Sequence, residues 1–158
     1  MNWMQWLSRR SPAYAGRRAA LLASRYGMTA AKAAKRAEDN VAALVAAGCA
    51  PTLPVPGRVV ERYAAIVRRL QDAGAEIAVH SYDHVDLAAY PLAEAQGQLL
   101  RAIEVFDRHG IAMHGFRCPY LSCTDELLDS SALEVFRYSS NRGIAWDGWQ
   151  DEIAEHRA

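Results

Sequence analysis

Ala75-Glu76-Ile77-Ala78-Val79-His80-Ser81-Tyr82-Asp83-His84-Val85-Asp86-Leu87 is the stretch on which the reading of this chain turns. Glycine at 74 ends what precedes it, and the short apolar run Glu76 to Val79 then has the length and flanking breaker of a strand. Two histidines spaced four apart follow at once, at the position where a strand hands over to a loop. A neutral imidazole offers a nitrogen lone pair near neutral pH, so the pair predicts two ligands of a metal at a strand's C-terminal end.

Outward from that point the chain alternates helix and strand. Thr29 is placed to cap a helix whose apolar positions Ala33, Ala37, Val41, Leu44 and Val45 run to Gly48. Cys49 to Val55 reads as a strand, which Pro51 and Pro54 confine to a sheet edge or make irregular. After Pro56-Gly57 a helix carries Val59, Tyr63, Ile66, Val67 and Leu70 on one face. A further helix spans Leu92 to His109, with Leu92, Leu99, Ile103 and Phe106 inward. Ile111 to Phe116 then forms a strand, Asp125 to Phe136 a helix, and a short strand lies near Tyr138. This alternation implies a mostly parallel sheet or a barrel, and both gather functional groups at the C-terminal ends of their strands. Arg117-Cys118-Pro119-Tyr120 follows the strand after the histidine loop, so both loops share one rim.

On these two motifs the chain resembles the polysaccharide deacetylases of the carbohydrate esterase class. Their His-Ser/Thr-x-x-His motif is similar to His80-Ser81-Tyr82-Asp83-His84, and their Arg-x-Pro-Tyr motif to Arg117-Cys118-Pro119-Tyr120. The resemblance spans roughly residues 28–147, and extends to Tyr138-Ser139-Ser140 and Ala145-Trp146-Asp147. It implies an α/β fold, a partial or distorted (β/α) barrel with mostly parallel strands. It also implies a metal-dependent hydrolase that removes N-acetyl groups from an amino-sugar polymer or glycoconjugate. His80 and His84 would be metal ligands, with a divalent metal, zinc first, as cofactor. The backbone amide of Tyr120 would stabilise an oxyanion, and Arg117 would orient a carboxylate base. Pro119 and Trp146 would line the sugar site.

Two elements of that family pattern have no visible counterpart. The family's first strand ends in Thr-Phe-Asp-Asp, which supplies the base and the third ligand, whereas the equivalent stretch here, Ala20 to Gly27, contains no aspartate. The late histidine motif is also absent, since His156 lies in a charged tail. Asp83 and Asp86 are the nearest substitute carboxylates, as ligands or as partners that orient an imidazole. The alternative reading is therefore a catalytically inactive deacetylase-like domain that binds carbohydrate or acts as an interaction module. At 158 residues the chain is shorter than the roughly 200 of a closed barrel, which predicts an abbreviated domain.

Composition sets the remaining bounds. With 51% hydrophobic and 23% charged residues, the chain describes one globular domain, a basic extension over 1–27, the α/β domain over 28–147 and a charged tail over 148–158. Three cysteines match no disulfide framework and read as reduced packing thiols, which predicts a cytoplasmic location. Arg17 and Arg18 interrupt the apolar segment that an export signal would need. His114 reads as a core or sheet-face histidine. Eight basic residues precede the first acidic one, Glu38, a pattern that with Trp3 and Trp6 suits weak contact with an anionic membrane surface. The expected partner is a carbohydrate, with no specific nucleic acid and no transmembrane segment.

Overall fold

The computed structural model describes residues 14, 16–18, 20, 21 and 30–141. Trp146, His156, Trp3 and Trp6 lie outside the described residues, as does most of the basic head.

Helix α1, Ala30–Ala46, draws on the high helical propensity of its alanine-rich first turns and buries Ala34 and Val41. It closes at Gly48, whose φ of 78° is cheap only for glycine, with Gly48 and Cys49 amides donating back to the carbonyls of Val45 and Leu44. Strand β1 is Thr52–Val55, and Pro54 is tolerated there because, among the described residues, β1 pairs on one side only, with β2. Helix α2, Gly57–Asp72, starts directly behind Pro56 and is kinked at Tyr63. Strand β2, Glu76–Val79, has the bounds expected from the sequence. Helix α3, Leu92–Arg108, then buries Ala95, Leu99, Ala102, Val105 and Phe106. Strands β3, Gly115–Phe116, and β4, Tyr138–Ser139, complete the sheet, with a short helix α4, Asp125–Leu128, between them.

All pairs are parallel and the order is β1-β2-β3-β4, without the reversal of a doubly wound sheet. This is the arc of a (β/α) barrel, and among the described residues it is not closed. Strand parity divides the two faces. Val55, Ile77, Val79 and Phe116 join the helices in one buried core. Thr52, Pro54, Ala78, Arg117, Tyr138 and Ser140 line a cleft of about 430 Å³ on the inner face. Tyr138 reaches across β3 so that its hydroxyl donates to Glu76 at 2.9 Å, and Thr52 donates to the same carboxylate at 3.0 Å. Position 115 must be glycine for this, because a Cβ there would collide with the Tyr138 ring.

Several expected elements differ. The strand expected over 111–116 shrinks to two residues, since only Phe116 has a partner in β2, across from Val79. The helix expected over 125–136 stops at Leu128; the Ser130 hydroxyl takes the Leu127 carbonyl at 2.8 Å and a 3-10 turn, Ser131–Leu133, follows. On α2 it is Val60, not Val59, that is fully buried, and Tyr63 is half-exposed. Leu92 is likewise exposed. His114 lies exposed rather than in the core, and Cys49 is exposed rather than packed. None of the described helices is long and apolar enough to cross a membrane.

Candidate active site

The ladder of the sheet continues into the rim and sets both loops. The His80 amide donates to the Val55 carbonyl, the Arg117 amide to that of Val79, and the Ser140 amide to that of Phe116. His80 Nδ1 lies 2.6 Å from the Arg117 carbonyl oxygen, and a carbonyl only accepts, so Nδ1 carries the proton. The lone pair is left on Nε2, which is how a second bond fixes the tautomer of a ligating imidazole. Burial pushes the His80 pKa below its ordinary value, the carbonyl bond opposes that, and the nearby His84 adds to it.

The two loops meet. The rings of His80 and His84 are 4.9 Å apart edge to face, and His84 packs 4.8 Å from Tyr120 in the same manner. Three non-glycine residues have positive φ among the described residues, Ser81 at 62°, Tyr120 at 60° and Leu121 at 57°, and all three lie in these loops. Left-handed backbone at such side chains costs of order 1–3 kcal/mol each and persists where the surroundings over-determine it. Ser81 is fully buried and its hydroxyl has no hydrogen-bond partner among the described residues.

The first loop is held by residues that sequence reasoning did not single out. The Gly57 and Arg58 amides at the start of α2 donate to the carbonyls of Ser81 and Tyr82 at 2.9 and 3.0 Å. Arg58 also forms a two-pronged ion pair with Asp83, its Nη2 to Oδ2 at 3.0 Å, and the Asp83 amide donates to Gln98 on α3. Tyr82 is buried; its hydroxyl donates to Glu61 at 2.6 Å and accepts from Arg101 at 2.9 Å, whose guanidinium stacks 3.7 Å over the ring. These bonds lower the pKa of Asp83, through Arg58, and of Glu61, through the Tyr82 hydroxyl. Tyr82 gave no sequence signal beyond its place inside the histidine motif, and its partners are 21 and 19 positions away.

The carboxylates beside the histidines are thus engaged elsewhere: Asp83 by Arg58, and Asp86 by the Ala88 amide at the start of the 3-10 turn Leu87–Ala89. Among the described residues no group of three or more histidine, cysteine, aspartate or glutamate side chains is placed to hold a metal. Taken alone, the described donors do not fit a three-ligand catalytic metal site. Arg117 reaches Ser140 Oγ at 3.4 Å, and no carboxylate among the described residues pairs with it. Pro119 is buried at the start of its 3-10 turn, and Tyr120 is 69% exposed, available to a ligand.

Comparison with known proteins agrees with this geometry. Residues 34–137 match the family model for polysaccharide deacetylase. No curated protein sequence matches the chain. Among solved structures, a family 4 carbohydrate esterase from Streptomyces lividans in complex with acetate aligns at 22% identity and a TM-score of 0.59, over 75% of this chain and 60% of its own. Peptidoglycan deacetylase PdaC from Bacillus subtilis aligns at 20% identity and 0.57, over 75% and 56%. BA3943 from Bacillus anthracis, a pseudoenzyme of the same esterase family, aligns at 18% and 0.58, over 66% and 38%. The chain therefore spans between 38% and 60% of the length of these three structures. With the family model covering most of the described domain and the open parallel arc carrying both motif loops on one rim, the chain belongs to the polysaccharide deacetylase family.

Proposed function

We propose that this chain carries part of a hydrolase site that removes N-acetyl groups from an amino-sugar polymer. The observation that supports the reading most is the meeting of the two loops, His80 with His84 and His84 with Tyr120, in loops whose backbone is held left-handed at Ser81, Tyr120 and Leu121. Strain of that kind clusters where a structure is shaped for a ligand. The reading requires a divalent metal, zinc first for a nitrogen-and-oxygen donor set. It also requires a carboxylate from outside residues 30–141 to join His80 and His84, because Asp83 and Asp86 are occupied. The Tyr120 amide is the oxyanion donor in this reading, and the Arg117 guanidinium faces the cleft as the partner of the incoming base. Pro119 shapes the turn beside the sugar site, and Trp146 is assigned to its wall.

The engagement of Asp83 and Asp86 favours a second reading, a domain that binds carbohydrate without hydrolysing it. One experiment separates the two. The purified chain, with stoichiometric zinc, is incubated with N-acetylated oligosaccharides, and released acetate and bound sugar are both measured. Acetate release that falls by about 100-fold or more in His80→Ala supports hydrolysis. Saturable sugar binding with no acetate above the His80→Ala background establishes the second reading in its place.

A further inference from the structure

We propose that the first two turns of α1, with the basic head before them, form a docking surface for an anionic lipid bilayer and turn the rim that carries both motif loops toward it. The inference stands independently of whether the chain hydrolyses anything. Arg17, Arg18, Lys32, Lys35 and Arg36 are all exposed, and they belong to a run of eight basic residues without one acid. The two acids that follow are each paired, Glu38 with Arg69 at 2.8 Å and Asp39 with Lys35 at 2.9 Å. The rest of the chain carries ten basic and eighteen acidic residues, so a molecule of zero net charge is strongly polarised. An anionic surface attracts the head and repels the body, and that pair of forces selects one orientation.

Which orientation follows from where the head joins the fold. α1 begins at Ala30, which with Ala33 lines an apolar hollow shared with Val55 at the end of β1 and Val59 in the first turn of α2. The Val55 carbonyl in turn accepts the His80 amide. The head therefore meets the domain at the rim. Exposed Cys49, beyond the far end of α1 and just before β1, marks the opposite edge of the sheet. Apolar side chains separate lipid from nucleic acid as the partner. Both attract cations, but Leu21 is 58% exposed and the head adds Trp3, Trp6 and Leu7, residues that enter a bilayer interface. The phosphate backbone of a duplex gives an aliphatic side chain nothing to enter.

The test mixes the whole chain with sedimentable vesicles, either phosphatidylglycerol with phosphatidylcholine or phosphatidylcholine alone. The expected result is binding to the anionic vesicles only, lost in about 1 M salt, where charges are screened within about 3 Å. Arg17→Gln, Arg18→Gln, Lys32→Gln and Arg36→Gln together should weaken it by about 100-fold or more, since each cation near the surface contributes on the order of fivefold. Orientation is read by energy transfer to a lipid-borne acceptor, in a Cys123→Ser background. A dye on Cys49 should transfer weakly, and a dye placed by Leu121→Cys with Cys49→Ser should transfer strongly. Equal binding to neutral vesicles, unchanged affinity in the fourfold variant, or release of the chain from vesicles by duplex DNA would overturn the lipid assignment; equal transfer from the two dyes would overturn the orientation.

Discussion

The two loops that meet at the rim are held by different means. The histidine loop is pinned from outside, by two amides at the start of α2, by Arg58, by Gln98 on α3 and by the buried Tyr82 bonded to both helices. The Arg117 to Cys123 loop is tied to β2 at its first residue, whose amide donates to Val79 and whose carbonyl meets His80 Nδ1, and beyond Arg117 it hangs on its own 3-10 turn and on Asn141, whose side-chain oxygen accepts from the Cys118 amide. Anchorage to helices ties the first loop to the stability of the whole domain, whereas the second can open with less of the fold. A site built from one fixed and one locally held loop presents a rigid pair of imidazoles to an adjustable partner.

The contrast breaks most clearly if Tyr82→Ala is mild. Removing a fully buried aromatic ring that ties the loop to both helices should cost about 3–5 kcal/mol in chemical denaturation. Gly57→Ala comes next, at about 1–3 kcal/mol, because a Cβ there sits 3.0 Å from the Tyr82 ring and 3.0 Å from the Ala102 backbone. Asn141→Ala leaves the buried Cys118 amide unpaired and should cost about 1 kcal/mol globally. Its larger effect should be faster hydrogen exchange confined to residues 118–123; equal protection there would show the second loop to be anchored otherwise.

Acid sharpens the same comparison. Asp83 and Glu61 hold depressed pKa values in the folded chain, so they bind protons more readily when unfolded. Their contribution is fully present above the ordinary carboxylate range and is lost as pH falls through their lower folded values, below about 4. Tyr82→Phe removes the hydroxyl that depresses Glu61, so the acid limb of the stability profile should become shallower. An unchanged slope would show that the hydroxyl does not set it. Smallest of all, Arg58→Ala should cost less than about 1 kcal/mol, with the difference shrinking in high salt, since the ion pair is partly exposed.

Legibility followed range along the chain. β2 and the start of the histidine loop were readable because an apolar run between Gly74 and His80 needs no distant information. The same holds for Gly48, Gly74 and Gly110, each ending a helix at positive φ. Strand β3 was overestimated because the extent of a parallel strand is set by its neighbours, and only Phe116 finds a residue of β2. The roles of Arg58, Gln98 and Asn141 were invisible, because each is an ordinary polar residue until a segment 25, 15 or 23 positions away, respectively, is folded against it.

By itself the sequence determined the α/β alternation, the two motifs and their placement at strand ends, because periodicity, breakers and residue chemistry are local properties. Tertiary structure alone decided that His84 meets Tyr120, that His80 keeps its Nε2 lone pair free, and that Asp83 is committed to Arg58. Each of these depends on how a loop closes or on which side chain arrives from elsewhere, and packing settles that through the sum of many weak contacts.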